Sequence, residues 1–84
     1  MNVEFFNQDH DKVSVRIKSG STESNFGLVR NDRHEFDSGP NSVRFAWKDG
    51  DEQVTNDEFD TYATDLSAGT AIVFGSPAGA VGSA

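Results

Sequence analysis

An aromatic residue and three acids stand close together near the middle of the chain. Trp47 is followed within five residues by Asp49, Asp51 and Glu52. An aromatic ring with one face in water offers an apolar stacking surface, and carboxylates orient polar ligands or hold a cation beside them. This inventory predicts a ligand-binding site at Trp47, Asp49, Asp51 and Glu52. The chemistry suits a carbohydrate or another ligand whose binding a cation assists.

Two histidines are the other candidates for catalysis or metal binding. His10 lies between Asp9 and Asp11 in a polar stretch, and His34 precedes Glu35 in a short alternating run, so we expect both side chains to face solvent. The sequence contains no nucleophile elbow, phosphate-binding loop, zinc-protease motif or dinucleotide-binding motif. We therefore expect no catalytic residue and no cofactor, and we keep a small enzyme only as the last alternative.

The eleven residues from Asp49 to Phe59, DGDEQVTNDEF, resemble the second half of an EF-hand calcium loop and the start of its exit helix. The resemblance implies that the oxygen ligands would come from Asp49, Asp51, Gln53 and Glu58. The sequence departs from the pattern at the first ligand position, which holds Trp47, and at the turn glycine, which is Glu52. The preceding residues also alternate like a strand. These departures favour a solvated acidic turn, so we predict no metal site and keep calcium as a minor alternative.

The pair Asp49-Gly50 lies between two alternating runs, which predicts a central hairpin over residues 41–56. A type I′ turn needs positive φ at both of its central residues, and an Asp-Gly pair tolerates this. A two-residue loop would place Trp47 opposite Glu52 on the core face. Because a carboxylate there must reach water, we expect Trp47 to lie at the rim of the core.

Further strands are predicted on both sides of this hairpin. Lys12 to Ser19 alternates most clearly, and Asn2 to Asn7 places Phe5 and Phe6 on opposite faces. A loop is predicted at Gly20 to Asn25. A second hairpin is predicted from Phe26 to Arg30 and His34 to Phe36, around an Asn31-Asp32 tip whose residues tolerate left-handed backbone with positive φ. An apolar strand is predicted at Thr70 to Gly75, and we expect it to be central in its sheet.

One short helix is predicted near residues 56–67. Apolar residues recur there with helical spacing at Phe59, Tyr62, Ala63 and Leu66, and Thr55 and Glu58 have the spacing of a capping box. Gly69 stands where a helix would end. The threonines and the tyrosine of this stretch favour a strand, so the choice between helix and strand stays open.

The charge is unevenly distributed along the chain. All seven lysines and arginines lie at or before Lys48, whereas Asp49 to Ala84 contains seven acids and no base, and the net charge is −7. This field disfavours nucleic acid and anionic lipid as partners. Arg16 and Lys18 share one outward strand face, Arg44 and Lys48 share another, and Arg30 and Arg33 flank a turn. If these strands are neighbours, the sheet carries a basic face, and the four strand cations form a basic strip along it.

The basic strip of one copy could meet the acidic segment, Asp49 to Asp65, of another. Association of this kind would weaken as salt shortens the Debye length from about 10 Å to about 3 Å. The alternative is an ordinary solvated sheet face. An oligomer that resists salt would instead point to apolar surface, with Phe5 or Phe6 as the first candidates.

Eighty-four residues without cysteine make one small domain that has no disulfides. We expect a single β-rich domain at residues 1–75 and a flexible tail of small residues at 76–84. The N-terminal stretch has neither the basic nor the apolar region of a signal peptide, which favours the cytoplasm, and no segment is long enough to span a membrane.

Together these patterns predict a mainly β protein, a small antiparallel β-sandwich or a partly open barrel with at most one short helix. The leading function is a non-enzymatic, acidic binding or assembly module that associates with a protein partner or with itself. The runner-up is the carbohydrate or cation-assisted ligand site around Trp47.

The EF-hand resemblance yields a direct test. Calorimetric titration of the protein with calcium should show no saturable site below millimolar concentration, because Trp47 and Glu52 leave too few oxygen ligands within reach. Stoichiometric, tight binding that disappears in Glu58→Gln would contradict this prediction.

Overall fold

The computed structural model describes residues 2–66 and 69–75, and the predicted tail at 76–84 lies outside the described residues. Within those ranges no helix is long and apolar enough to cross a membrane. The elements are the strands β1 (Asn2–Asn7), β2 (Lys12–Ser19), β3 (Thr22–Val29), β4 (Arg33–Asp37) and β5 (Val43–Asp49), the helix α1 (Asn56–Tyr62), and the strands β6 (Thr64–Leu66) and β7 (Ala71–Phe74).

The strands form two sheets that pack face to face without closing into a barrel, so the predicted mainly β fold is confirmed. The four-stranded sheet has the order β3-β2-β5-β6 and is antiparallel throughout. The three-stranded sheet has the order β4-β1-β7, in which β1 is antiparallel to β4 and parallel to β7.

Phe5 lies at the centre of the core between the sheets. Its ring is fully buried, and ring centroids lie 5.6 Å away at Phe26, 5.5 Å at Phe45 and 6.4 Å at Phe74. The predicted division between Phe5 and Phe6 is confirmed, because Phe6 lies on the opposite face of β1 and is only half-buried. Alternation along β2 places Val13, Val15 and Ile17 in the same core.

The helix lies on the outer face of the four-stranded sheet and makes a third layer. Thr55 caps it, and both hydrogen bonds of the predicted capping box to Glu58 are present. Phe59 is buried there against Ala46 and Val54. The helix ends sooner than the apolar spacing predicted, because residues 64–66 form β6 and pair with β5, so Gly69 does not cap it.

The predicted central hairpin is wrong. Gly50 has φ +103°, as expected, but Asp49 is the last residue of β5 and stays extended, so a type I′ turn does not form. Strand β5 pairs instead with β2 on one side and β6 on the other, which leaves no edge for the residues after Gly50. Those residues cross the outer face of the sheet, and Glu52 points into solvent with 91% of its side chain exposed.

Three other local predictions are also corrected. Gly20 to Asn25 is not a loop, because Gly20, with φ +57°, and Ser21 make a short turn and β3 begins at Thr22. Asn31 has the predicted positive φ of 68°, but β3 and β4 join different sheets, so this turn is a corner between sheets. Strand β7 is not central; among the described strands it lies at an edge, with only β1 beside it.

Gly50 provides a test of the backbone geometry. Gly50→Val should lower the free energy of unfolding by at least about 1–2 kcal/mol, because a β-branched residue is strained at positive φ. Asp51→Asn is the neighbouring control and should change stability by less than about 1 kcal/mol, since 81% of the Asp51 side chain is exposed and its ion pair with Lys12 lies at the surface. Urea unfolding of both variants measures the difference, and equal losses would contradict the explanation.

Candidate functional site

Trp47 does not present a stacking surface. Only 7% of the residue is exposed, which corrects its expected position at the rim. Its ring packs against Phe74 at a centroid distance of 4.9 Å and against the imidazole of His10 at 5.4 Å. The odd-numbered face of β5 points into the sandwich, so Trp47 follows Val43 and Phe45 into the core. A sugar ring therefore has no access to either side of the indole.

Asp49 faces inward toward a buried histidine. Its Oδ1 lies 3.0 Å from Nδ1 of His10, whose side chain is fully buried. Asn7 holds the same turn, because its Nδ2 donates to the carbonyl groups of His10 and Leu28, and its Oδ1 accepts from the backbone N–H of His10. This network connects the end of β1, the turn between β1 and β2, the end of β3 and the end of β5. A substrate cannot reach the buried imidazole, so the contact between His10 and Asp49 stabilises the fold.

Both histidines were expected to face solvent, and both expectations are wrong. His10 is buried as described, and His34 lies on the inward face of β4, opposite Phe5. Its ring stacks on Phe26 with centroids 3.9 Å apart and an interplanar angle of 20°. A polar residue type suggested solvent, whereas strand register placed the side chain inside.

The remaining predicted site residues point away from Trp47. Asp51 forms an ion pair with Lys12 at 2.8 Å, and Glu52 lies 3.9 Å from Lys48. Trp47 faces the core while Asp51 and Glu52 face solvent, so the four predicted side chains do not line one surface. Among the described residues no group of three histidine or acidic side chains is arranged to hold a metal ion. The ligand positions implied by the EF-hand resemblance are likewise dispersed, since Asp49 contacts His10 and Glu58 caps the helix.

The basic strip exists as a surface, because β2 and β5 are neighbours and its four cations lie on their shared outer face. Each cation contacts a group of the same chain. Arg44 Nε lies 3.1 Å from Asp65 and Lys48 Nζ lies 3.0 Å from Glu58. Lys18 Nζ lies 4.8 Å from the centroid of the Phe59 ring, which also faces the guanidinium groups of both strip arginines. The acidic segment is therefore folded over its own basic strip.

Arg16 is the most buried member of the strip, at 8% exposure. Its guanidinium donates to the carboxylate of Glu23, to the carbonyl of Val54 and to Oδ1 of Asn56, at 2.7 to 3.1 Å. These bonds offset the cost of burying a charge and fasten the chain after Gly50 onto β2. Sequence alternation correctly put Arg16 on the outer face but could not reveal that a distant segment covers it.

The outer face of the three-stranded sheet is different, because none of the described elements covers it. Strand register places Arg33, Phe6 and Val73 in one row across β4, β1 and β7, and Glu35, Glu4 and Ala71 in the next. Val73 is 49% exposed.

The chain matches no protein-family model, no curated protein and no solved structure.

The contacts of Glu58 predict how stability depends on acid. The Thr55 backbone N–H and, next, the Lys48 ammonium lower the pKa of Glu58 in the folded protein. A carboxylate whose pKa is lower when folded stabilises the fold above its unfolded pKa of about 4.3, and this contribution disappears as pH falls through the folded value. Glu58→Gln should therefore be less stable at neutral pH and should lose less stability on acidification than the unmodified protein. Melting curves from pH 7 to pH 3 test this, and parallel losses would contradict it.

Proposed function

We propose that this chain is a non-enzymatic assembly module that associates with a second copy of itself through the outer face of the three-stranded sheet. The observation that carries the proposal is the contrast between the two outer faces. Helix α1 and the segment before it cover the four-stranded sheet, whereas Val73 and the row around it have no cover among the described residues. Apolar side chains grouped on an uncovered sheet face are typical of contact surfaces.

The apolar part of this face is small and continuous. Phe6 and Val73 are register partners on β1 and β7, and the guanidinium of Arg33 lies 5.3 Å from the centroid of the Phe6 ring. Arginine over an aromatic ring is a common arrangement at protein interfaces, where both can be covered by a partner. Strand β7 adds an apolar edge, since within residues 69–75 it pairs only with β1.

The charges of the face suit a second copy. Glu4 and Glu35 are directly opposite each other, an unfavourable pairing of like charges, and Arg33 reaches Glu4 only at 3.7 Å. A two-fold arrangement brings the same patch of both copies together, so each copy would offer its arginine to the carboxylates of the other. The basic strip is less suited to this role, because its cations already contact groups of their own chain.

Replacing Val73 tests the proposed surface. Val73→Asp should shift the protein from dimer to monomer in sedimentation velocity, because a carboxylate would lose its hydration in the apolar contact. Val29→Asp is the matched control. Val29 is 55% exposed but lies on β3 of the other sheet, so this change should leave the mass unaltered. Circular dichroism should confirm that both variants fold.

Salt separates the apolar proposal from the charge-driven one. The unmodified protein should keep the mass of a dimer as salt rises from about 0.1 M to about 1 M, although the Debye length falls to about 3 Å over this range. A dimer that dissociates over this range would favour association through the basic strip and the acidic segment. A monomer under all conditions, or equal loss of mass in both variants, would overturn self-association through this face.

A further inference from the structure

A polar groove crosses the outer face of the four-stranded sheet, beside the segment that follows Gly50. It consists of two cavities of about 230 Å³ and about 410 Å³ that share Asn25 and Gln53 in their linings. Its floor is the outer face of β2 and β3, and its wall is formed by Asp51 and by residues 53–56. The larger cavity is within the range of about 300–1,000 Å³ that is common for small-molecule sites.

The charged groups of the groove neutralise one another. Lys12 pairs with Asp51 at 2.8 Å, and Arg16 pairs with Glu23 at 2.7 Å. The cations and anions that line the two cavities are therefore equal in number, and each is already close to an opposite charge. A phosphate or a free cation would have to break an existing pair to bind, so the groove is unsuited to a charged ligand.

The groups left to bind a ligand are neutral. The side-chain amides of Asn25 and Gln53 are both exposed and make no hydrogen bond within the described part of the chain. Ser14 donates its proton to the carbonyl of Gly50, which leaves its hydroxyl oxygen as an acceptor. Amides donate and accept at adjacent atoms, and sugar hydroxyls do the same.

The floor beside these amides lacks a side chain of its own at Gly27, which lies opposite Ser14 in the register of β2 and β3, and the stem of Lys12 lies over it. A Cβ atom there would lie 2.7 Å from Cε of Lys12, so the glycine leaves room for the lysine stem along the floor. The main-chain groups of neighbouring strands bond to each other in the plane of the sheet, and a ligand on the sheet face must be recognised by side chains. This geometry disfavours an extended peptide, which would add to a sheet edge.

We infer that this groove binds a neutral, hydroxyl-rich ligand, an oligosaccharide, through the amides of Asn25 and Gln53. The site is distinct from the one predicted at Trp47 and shares only Asp51 with it. It also lies on the opposite outer face from the surface proposed for self-association, so either can fail without the other.

The test uses an array of neutral oligosaccharides built from glucose, mannose, galactose and N-acetylglucosamine units, with sulfated and uronic-acid oligosaccharides on the same array. The full chain should bind at least one neutral member, and that oligosaccharide should shift the side-chain amide signals of Asn25 and Gln53 in ¹⁵N NMR spectra. Binding to none of the neutral oligosaccharides, or binding confined to charged ones, would overturn the inference.

Three variants locate the site. Gln53→Ala should weaken binding about tenfold, the effect of losing hydrogen bonds to one amide. Gln8→Ala is the matched control, because Gln8 is exposed in the turn after β1 and lines neither cavity. This variant should bind the oligosaccharide with the affinity of the unmodified protein.

Gly27→Ala separates binding from folding. The added methyl group would come within 2.7 Å of Cε of Lys12 and would push the flexible end of that side chain into the groove. Alanine is less costly than glycine inside a strand, so the variant should fold and still lose affinity. A Gly27→Ala or Gln53→Ala protein that binds the oligosaccharide as well as the unmodified chain does would contradict the proposed site.

Discussion

Strand β2 must be covered on both faces, and the rest of the molecule depends on how this is achieved. Five consecutive residues from Val13 to Ile17 are buried, although their side chains alternate between the two sides of the sheet. The inward residues meet the three-stranded sheet. The outward ones, Ser14 and Arg16, meet the chain after Gly50, and their hydrogen bonds to its carbonyl groups hold that chain in place. Burial on both faces makes the β2 and β5 pair the centre of a three-layer domain.

The segregation of charge along the sequence has its physical explanation in this arrangement. The bases precede Asp49 and many of the acids follow it because one part of the chain is folded over the other. Phe59 adds an aromatic face beneath three cations, so the contact combines ion pairs with cation–π interactions and apolar burial. Complementary charges in a sequence are thus compatible with intramolecular closure as well as with a partner, and only the position of β5 beside β2 distinguishes the two.

The two outer faces leave different surfaces for recognition. Next to the covering segment, the four-stranded sheet has a groove whose ions are paired and whose amides are unpaired within the described residues. The three-stranded sheet has instead a row of apolar and cationic side chains that no element within residues 2–66 and 69–75 covers, beside two facing carboxylates. The proposed polar recognition and the proposed apolar association would therefore use opposite sides of the same small domain, because the core separates its two outer faces.

Local pattern determined the elements of this protein well wherever side-chain alternation or capping chemistry sufficed. The span of β2, the opposite faces of Phe5 and Phe6, the capping box at Thr55 and Glu58, and the positive φ at Gly50 and Asn31 all follow from interactions between residues near in sequence. Strand neighbours did not follow in the same way. Asp49-Gly50 has the residues of a hairpin turn, yet β2 and β6 occupy both edges of β5, and the chain had to leave the sheet. For the same reason the sequence could name Trp47, Asp49, Asp51 and Glu52 but could not tell which would face water. Tertiary structure decided that Trp47 is core and Asp51 is surface, because exposure depends on which distant strand or segment covers a residue, and local pattern carries no information about that cover.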